Sequence, residues 1–347
     1  MTWPDTLAGM ESPFPSSRGV DATVSHSGRS VVVAIGGNAL SPAGESSSIA
    51  NQFRHTRASM EPIVDLARQG WRIAVVHGNG PQVGDELQRN EVARSRVEQL
   101  PLGVLVAATA GWIGYMIQQS LQNALHAAGS DRRVVTLITQ SLVDPEDPSM
   151  REPSKFIGRG IRPGVAEELR GEGVLIGPDS RGNLRRQVPS PVPVEIRESR
   201  MVAELVARGD IVIAAGGGGI PVYLDPQLGL EGVDAVVDKD RAAALLGQEI
   251  GASILLILTD VEGVYENWGT EKARLVSRLT ASEARALLRS GALGAGSMGP
   301  KVEAAVHFVE GGGERAIIAA LHDGPAGLAG TSGTTITPDR VSSGGFE

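Results

Sequence analysis

The chain reads as an α/β protein built on a mainly parallel sheet with helices on both faces and a small protruding subdomain. Three observations lead there. Short apolar runs of strand length, such as Val31–Ile35, Arg72–His77 and Ile254–Thr259, alternate with longer segments of helical periodicity. Those runs are apolar almost throughout, as strands buried on both faces are. One stretch, 145–193, breaks the rhythm and is rich in Pro, Gly and Arg.

The elements follow in order. Residues 1–29 are rich in Ser, Pro and Thr without periodicity, and are read as a disordered extension. A single domain is assigned to 30–338 and a flexible tail to 339–347. Val31–Ile35, bounded by Gly36-Gly37, is the first strand. Residues 51–69 read as helix, and Arg72–His77 as the next strand. The apolar, Ala-rich stretch 101–128 is one buried helix or two, and Val134–Thr139 is a strand. Within 145–193, β-like pieces near Val174–Ile176 and Leu184–Val188 argue for a protruding lid rather than a linker. A helix over 195–208, a strand at Ile211–Ala215 and a helix at Asp240–Glu249 come next. Ile254–Thr259 is the strongest late strand. Helices at 281–290 and about 300–311, a strand over 315–320 and an edge strand at Thr334–Thr337 complete the pattern.

Composition narrows the function. The chain has 347 residues with 41% apolar content, enough for a sizeable core. It contains no cysteine, which excludes disulfides, thiolate metal sites and a cysteine nucleophile and suits a reducing compartment. The net charge of -8, without a basic run, argues against a nucleic-acid partner. No signal pattern or apolar stretch of the roughly 18–20 residues needed to cross a bilayer is present, so a cytoplasmic protein is expected.

Of 32 Lys and Arg residues only four are lysine: Lys155, Lys239, Lys272 and Lys301. A compact ammonium on a flexible stem is something a planar guanidinium does not replace. Three of the four stand in Gly-, Pro- or Asp-rich loop contexts and are the first candidates for chemistry. Three Gly-rich loops each follow an apolar strand: Gly36-Gly37-Asn38, Gly78-Asn79-Gly80-Pro81 and Gly216-Gly217-Gly218-Gly219. Glycine lets backbone N–H groups approach a phosphate, and each loop alone equally fits an ordinary tight turn. Together, at strand ends, they favour a polyanion site. No P-loop is present, and Gly78–Gly84 is one residue too long for the dinucleotide fingerprint.

Pro300 suits a first helical turn, and Lys301 beside it is unfavourable against the helix dipole unless an anion sits between them. In Asp238-Lys239-Asp240, either aspartate could cap the following helix, and Lys239 could be a surface ion pair. The functional alternative has an aspartate positioning lysines while Lys239 neutralises a transferring phosphoryl group. Lys155 opens the lid and could close over a phosphate. His77 ends a strand beside a glycine loop, where a hydrogen-bonded structural histidine is the plain reading. No cluster has metal-ligand spacing, so any metal is expected to be Mg²⁺ held by nucleotide phosphates and water.

Several strings together resemble the carbamate kinase branch of the amino acid kinase family. They are Ala34 to Leu40, His77 to Gly84, Ile113 to Met116, Val143-Asp144-Pro145 with Asp147-Pro148, and Val188 to Pro191. Ile213 to Pro221, Val237 to Asp240, Leu258 to Val261 and Gly296 to Ala304 continue the match, which covers about 31–337. The resemblance implies a three-layer αβα sandwich with a protruding lid, commonly a homodimer. It implies reversible transfer of a phosphoryl group between ATP and carbamate. Lys155, Lys239 and Lys301 would be the cations around that group, and Asp240 would orient lysines. Gly36, Gly37, Asn38, Gly78, Asn79 and Gly80 would hold the phosphoryl and substrate end. The nucleotide would sit near Gly216, Gly217, Gly218, Asp260, Tyr265, Met298 and Lys301.

The chain departs from that pattern at three places. Gly103, Leu105, Val106, Thr109 and Ala110 make Pro101–Gly111 more apolar than usual. Val192 replaces a lysine between Pro191 and Pro193. Phe156 replaces a proline, and Gly158-Arg159-Gly160 replaces a Gly-Pro-aromatic stretch. A kinase of the same fold on another small carboxylate, carbamate or phosphate acceptor is therefore the second reading. A nucleotide-binding regulator without catalysis is the third.

Overall fold

The computed structural model describes residues 28–339 except Ala43, Ser180 and 294–296, together with all but the side chain of Asn38. Almost all of the extension expected at 1–29 and of the tail expected at 339–347 falls outside the described residues, as does Gly296.

An eight-stranded sheet forms the centre. Its spatial order is Arg278–Thr280, Thr334–Thr337, Arg315–Ala320, Ile254–Thr259, Ser30–Ile35, Arg72–His77, Ile211–Ile213 and Val134–Thr136. All neighbours run parallel except Thr334–Thr337 against Arg315–Ala320. Side chains alternate between two cores. Val32, Ala34, Leu255 and Ile257 join one; Val31, Val33, Ile35, Leu256 and Leu258 join the other. Apolarity at every strand position is what two covered faces require.

The first face is covered by helices Ser199–Ala207, Lys239–Glu249, Ala281–Arg289 and Met298–Glu310. The second is covered by Glu61–Arg68, Leu102–Ala127 and Gly324–Ala329. The result is the three-layer αβα sandwich expected. With few aromatics, close packing depends on small residues. A Cβ at Gly247 would lie 2.7 Å from the Phe308 ring, so this glycine lets two helices approach.

Several boundaries differ from the sequence expectation. The helix expected over 51–69 is two, Ile49–Ala58 and Glu61–Arg68, because Pro62 lacks an N–H and starts a new first turn. The long apolar stretch is one helix of 26 residues. The strand expected over Val134–Thr139 stops at Thr136, where Thr139 turns its hydroxyl to accept from the Ala215 N–H at 2.7 Å. The chain then leaves for a second, four-stranded sheet, ordered Gly229–Gly232, Ile220–Asp225, Gln140–Val143 and Pro193–Ile196. Thr334–Thr337 is not an edge strand; it lies inside the sheet. Its polar residues are tolerated there because the Thr334 hydroxyl donates to the Val276 carbonyl (2.6 Å) and accepts from the Val264 N–H (2.8 Å).

A separate antiparallel sheet comprises Lys155–Ile157, Leu184–Val188 and Ile176–Pro178, in that order. A helix, Pro163–Gly171, accompanies it. The strands Ile176–Pro178 and Leu184–Val188 lie where β-like pieces were expected, while Lys155–Ile157 and the helix were not anticipated. Among the described residues no helix is long and apolar enough to cross a membrane.

Candidate active site

From Ser30–Ile35 the chain first builds the sheet toward Arg72–His77, then returns to add Ile254–Thr259 on the other side. The loops leaving these adjacent strands must diverge, which opens a crevice beyond their carboxyl ends. A cleft of about 540 Å³ lies there. Its floor is Gly36, Gly37, Gly78, Asn79, Gly80, Thr259 and Asp260; Lys155, Phe156 and Arg185 of the small sheet line its other side.

Three of the four lysines meet in this cleft, on two carboxylates. Lys239 donates to Asp240 Oδ1 at 2.5 Å, and Lys301 donates to Asp240 Oδ2 at 3.2 Å. Lys155 donates to Asp238 Oδ2 at 2.8 Å. Helix geometry brings them there. Asp238 is the N-cap of Lys239–Glu249, its Oδ1 accepting from the N–H groups of Asp240 (2.9 Å) and Arg241 (3.3 Å). Lys239 and Asp240 thus occupy the first helical turn, and Lys301 stands early in Met298–Glu310. Both helices point their positive ends at the cleft and need anions nearby.

The environment tunes the charges. Burial would raise the Asp238 carboxyl, but Lys155 and Lys239 outweigh it and hold it well below the carboxylate range. Burial pushes the Lys239 ammonium below its ordinary value, against the pull of Asp240 and with a push from Lys301. Burial likewise opposes the charge on Lys301, but Asp240 and Asp238 prevail and hold it above its ordinary value. Lys239 and Lys301 are desolvated ammonium groups whose counter-ions are already in place, with part-buried Lys155 beside them. Such a site stabilises charge spread over a transferring phosphoryl group without reorganising.

The glycines keep the ammonium groups accessible. The Lys239 stem lies across the first two glycine loops, at Gly36 and Gly78. A Cβ on Gly78 would come within 3.0 Å of Lys239 Cδ and of the Gly37 nitrogen. Asn79 turns its carboxamide away from the cleft and donates to Thr109 Oγ1 at 2.9 Å. In the third loop only Gly217 faces the cleft. Gly216 packs on the His77 ring and Gly218 on the Val237 carbonyl, where a Cβ would be 2.6 and 2.3 Å away. Positive φ at Gly217 and Gly218 lets the chain turn here into a strand rather than a helix.

Other candidates lie elsewhere. Tyr265 and Met298 are not among the cleft-lining residues. The Tyr265 hydroxyl donates to Glu262 at 2.6 Å, and its ring meets Trp268 edge-on at 5.1 Å. Of the positions that depart from the family pattern, only Phe156 lines the cleft. Gly103, Leu105, Val106, Thr109 and Ala110 are buried in the long helix and touch the substrate side from behind, through Thr109 and Asn79. Exposed Val192 donates its N–H to Asp147 (3.1 Å), away from the cleft. Sequence reasoning left open which aspartate positions lysines, took Asp240 from the resemblance without Asp238, and missed Arg185. The signal for Asp238 was present, since a carboxylate beside a rare lysine is a counter-ion candidate whatever else it does.

His77 is fully buried, and its Nδ1–H donates to the Gly78 carbonyl at 3.2 Å. Burial pushes its imidazole down to about 4. The folded state therefore resists a proton that the unfolded state takes up below 6.5. Stability from this residue is present above 6.5 and declines as pH falls toward 4, by on the order of 3 kcal/mol. Denaturant unfolding at pH 7 and pH 5 is expected to show a smaller acid loss in His77→Asn than in the parent chain. An identical loss would remove His77 from the acid sensitivity.

Among the described residues no cluster of three or more His, Asp or Glu could hold a metal ion. Asp238 and Asp240 already carry lysines, so the donor chemistry fits a Mg²⁺ held by nucleotide phosphates and water.

Comparison with known proteins identifies the family. The pattern of the amino acid kinase family matches residues 29–320. The carbamate kinase of Pyrococcus furiosus is 42% identical over 314 residues, covering 90% of this chain and 100% of that protein. Carbamate kinase from Giardia lamblia bound to citric acid superposes with a TM-score of 0.85 at 36% identity, covering 90% of this chain and 99% of that one. The same Giardia protein bound to AMP-PNP gives a TM-score of 0.82, again at 36% identity and with the same coverage. Fold, order of motifs and extent of identity agree along nine-tenths of the chain, and the protein belongs to the amino acid kinase family, in its carbamate kinase branch.

Proposed function

We propose that this chain catalyses reversible phosphoryl transfer between ATP and carbamate, with ADP and carbamoyl phosphate on the other side, and that it works toward ATP formation in arginine breakdown. The observation that carries the reading is the convergence of Lys155, Lys239 and Lys301 on Asp238 and Asp240 at the switch point of the sheet. A carbamate oxygen attacks the γ-phosphorus as the bond to the β-phosphate oxygen breaks. Charge then spreads over three equatorial oxygens, and cations around them are what this reaction needs.

Lys239, lying across Gly36 and Gly78, meets the transferring group at the acceptor side. Lys301, beside Asp240 and close to Asp260, meets it at the nucleotide side. Lys155 closes from the lid. Asp240 orients two of the lysines, and backbone N–H groups of the first two glycine loops receive the acceptor end. Gly217 and Asp260 border the nucleotide. Mg²⁺, when bound with the nucleotide, neutralises phosphate charge. A cytoplasmic homodimer belongs to the same reading, from the family resemblance.

A same-fold kinase on another small acceptor stays as a second reading, favoured by one observation: Phe156 lines the cleft in place of the family's proline. ATP formation from ADP, Mg²⁺ and carbamoyl phosphate, compared with acetyl phosphate and larger acyl phosphates, decides. Fast turnover selective for carbamoyl phosphate supports the first reading. Preference for another acyl phosphate replaces it with the second.

A further inference from the structure

The segment Lys155 to Arg159 crosses the cleft and makes an anchor on each wall. Lys155 reaches Asp238 on the nucleotide side. The Gly158 N–H donates to the Gly80 carbonyl in the second glycine loop at 2.9 Å. Arg159 then spans to the loop that follows Gly36-Gly37. Its Nη2 donates to Ser41 Oγ at 2.8 Å, its Nη1 to the Glu45 carbonyl at 3.2 Å, and its Nε stands 3.7 Å from Asp85 Oδ2.

The approach depends on two glycines. Gly158 has φ +70, and a Cβ on Gly84 would sit 2.1 Å from Gly158 Cα. Backbone therefore meets backbone at the seam, and Arg159 is delivered to a fixed place. Ser41 is buried, while Arg159 is part-exposed, so the hydroxyl is a preformed acceptor for a guanidinium that arrives with the lid. Arg159 also stands where the family has a different residue type, so this anchor is a property of this chain rather than of the resemblance.

We propose that Arg159 is a positioning residue that couples lid closure to the acceptor-side loop, so that Gly36 and Gly37 are held in register only when Lys155 is down on Asp238. The inference rests on the functional reading above for its kinetic consequence, not for its structural one. Arg159 touches no reacting atom; it acts through Ser41 and the loop carrying the glycines. Without it the lid still has Lys155–Asp238, but the closed, acceptor-competent population falls. The apparent affinity for the acceptor then falls by the same fraction.

The test uses the full chain with Arg159→Ala and Arg159→Lys. In ATP formation, Arg159→Ala is expected to raise KM for carbamoyl phosphate about tenfold, with KM for ADP and kcat changed by less than about twofold. Arg159→Lys is expected to recover part of that loss, because an ammonium can still reach Ser41 or Asp85. Without substrates, amide hydrogen exchange over 155–159 and 37–41 is expected to be faster in Arg159→Ala and unchanged over Ile254–Thr259. Equal rises in both KM values, or unchanged exchange in the two segments, would overturn the proposal. If the parent chain does not turn over carbamoyl phosphate, the functional reading fails, and the exchange comparison still decides the role of Arg159.

Discussion

Lys239→Ala is expected to lower kcat for ATP formation by about a thousandfold, with the melting temperature close to that of the parent chain. The Lys239 stem sits at the crossing of the first two glycine loops, within 3.0 Å of where a Gly78 side chain would begin. In the proposed mechanism the ammonium meets charge that is spread only in the transition state. Its loss therefore falls on kcat rather than KM. Structure survives because Asp240 keeps Lys301 as counter-ion. Lys272→Ala is the control. Lys272 is exposed, lies outside the cleft and is expected to leave every parameter at its parent value. Near-parent turnover in Lys239→Ala would take that lysine out of the mechanism.

Asp240→Asn is expected to damage stability and activity together. The carboxylate is almost fully buried and is shared by two ammonium groups, at 2.5 and 3.2 Å. The amide keeps the shape but leaves Lys239 and Lys301 facing each other without a counter-ion between them. Uncompensated buried charge costs about 3 kcal/mol in unfolding free energy. The pH dependence follows from the direction of the Lys239 shift. Burial already holds this lysine below its ordinary value, and Asp240 is the largest force opposing that. Without Asp240 the group deprotonates at a still lower pH, so the alkaline limb of the rate profile moves toward neutrality. Stability carries the same sign. The folded state releases its proton before the unfolded state does, so the deficit at neutral pH shrinks as pH rises through that window. Denaturant unfolding at two pH values and a pH–rate profile measure both effects. An unmoved alkaline limb would mean that Asp240 does not hold the reactive ammonium.

Much of the layering was legible in the residues. Strands buried on both faces must be apolar at successive positions, which made Ile254–Thr259 and Arg72–His77 plain. The rarity of lysine singled out Lys155, Lys239 and Lys301 before any geometry was known. The failures are equally physical. Thr334–Thr337 was expected at an edge, yet it lies inside the sheet, where the buried Thr334 hydroxyl has two partners. In the third glycine loop Gly217 lines the cleft while Gly216 and Gly218 lie against His77 and Val237, and glycine at a cleft and glycine under a side chain look alike in sequence.

By itself the sequence determined the alternation of elements, the chemical identity of the cations and the positions of the tight turns, because each depends on residues a few places apart. Tertiary structure alone decided which carboxylate serves which lysine. Lys301 and Asp240 are 61 residues apart, Lys155 and Asp238 are 83 apart, and Arg159 and Ser41 are 118 apart. No local pattern encodes such pairings. They exist because the sheet brings the carboxyl ends of Ser30–Ile35 and Ile254–Thr259 side by side, and because Gly84, lacking a side chain, lets the backbone at Gly158 after Lys155–Ile157 pack directly against it.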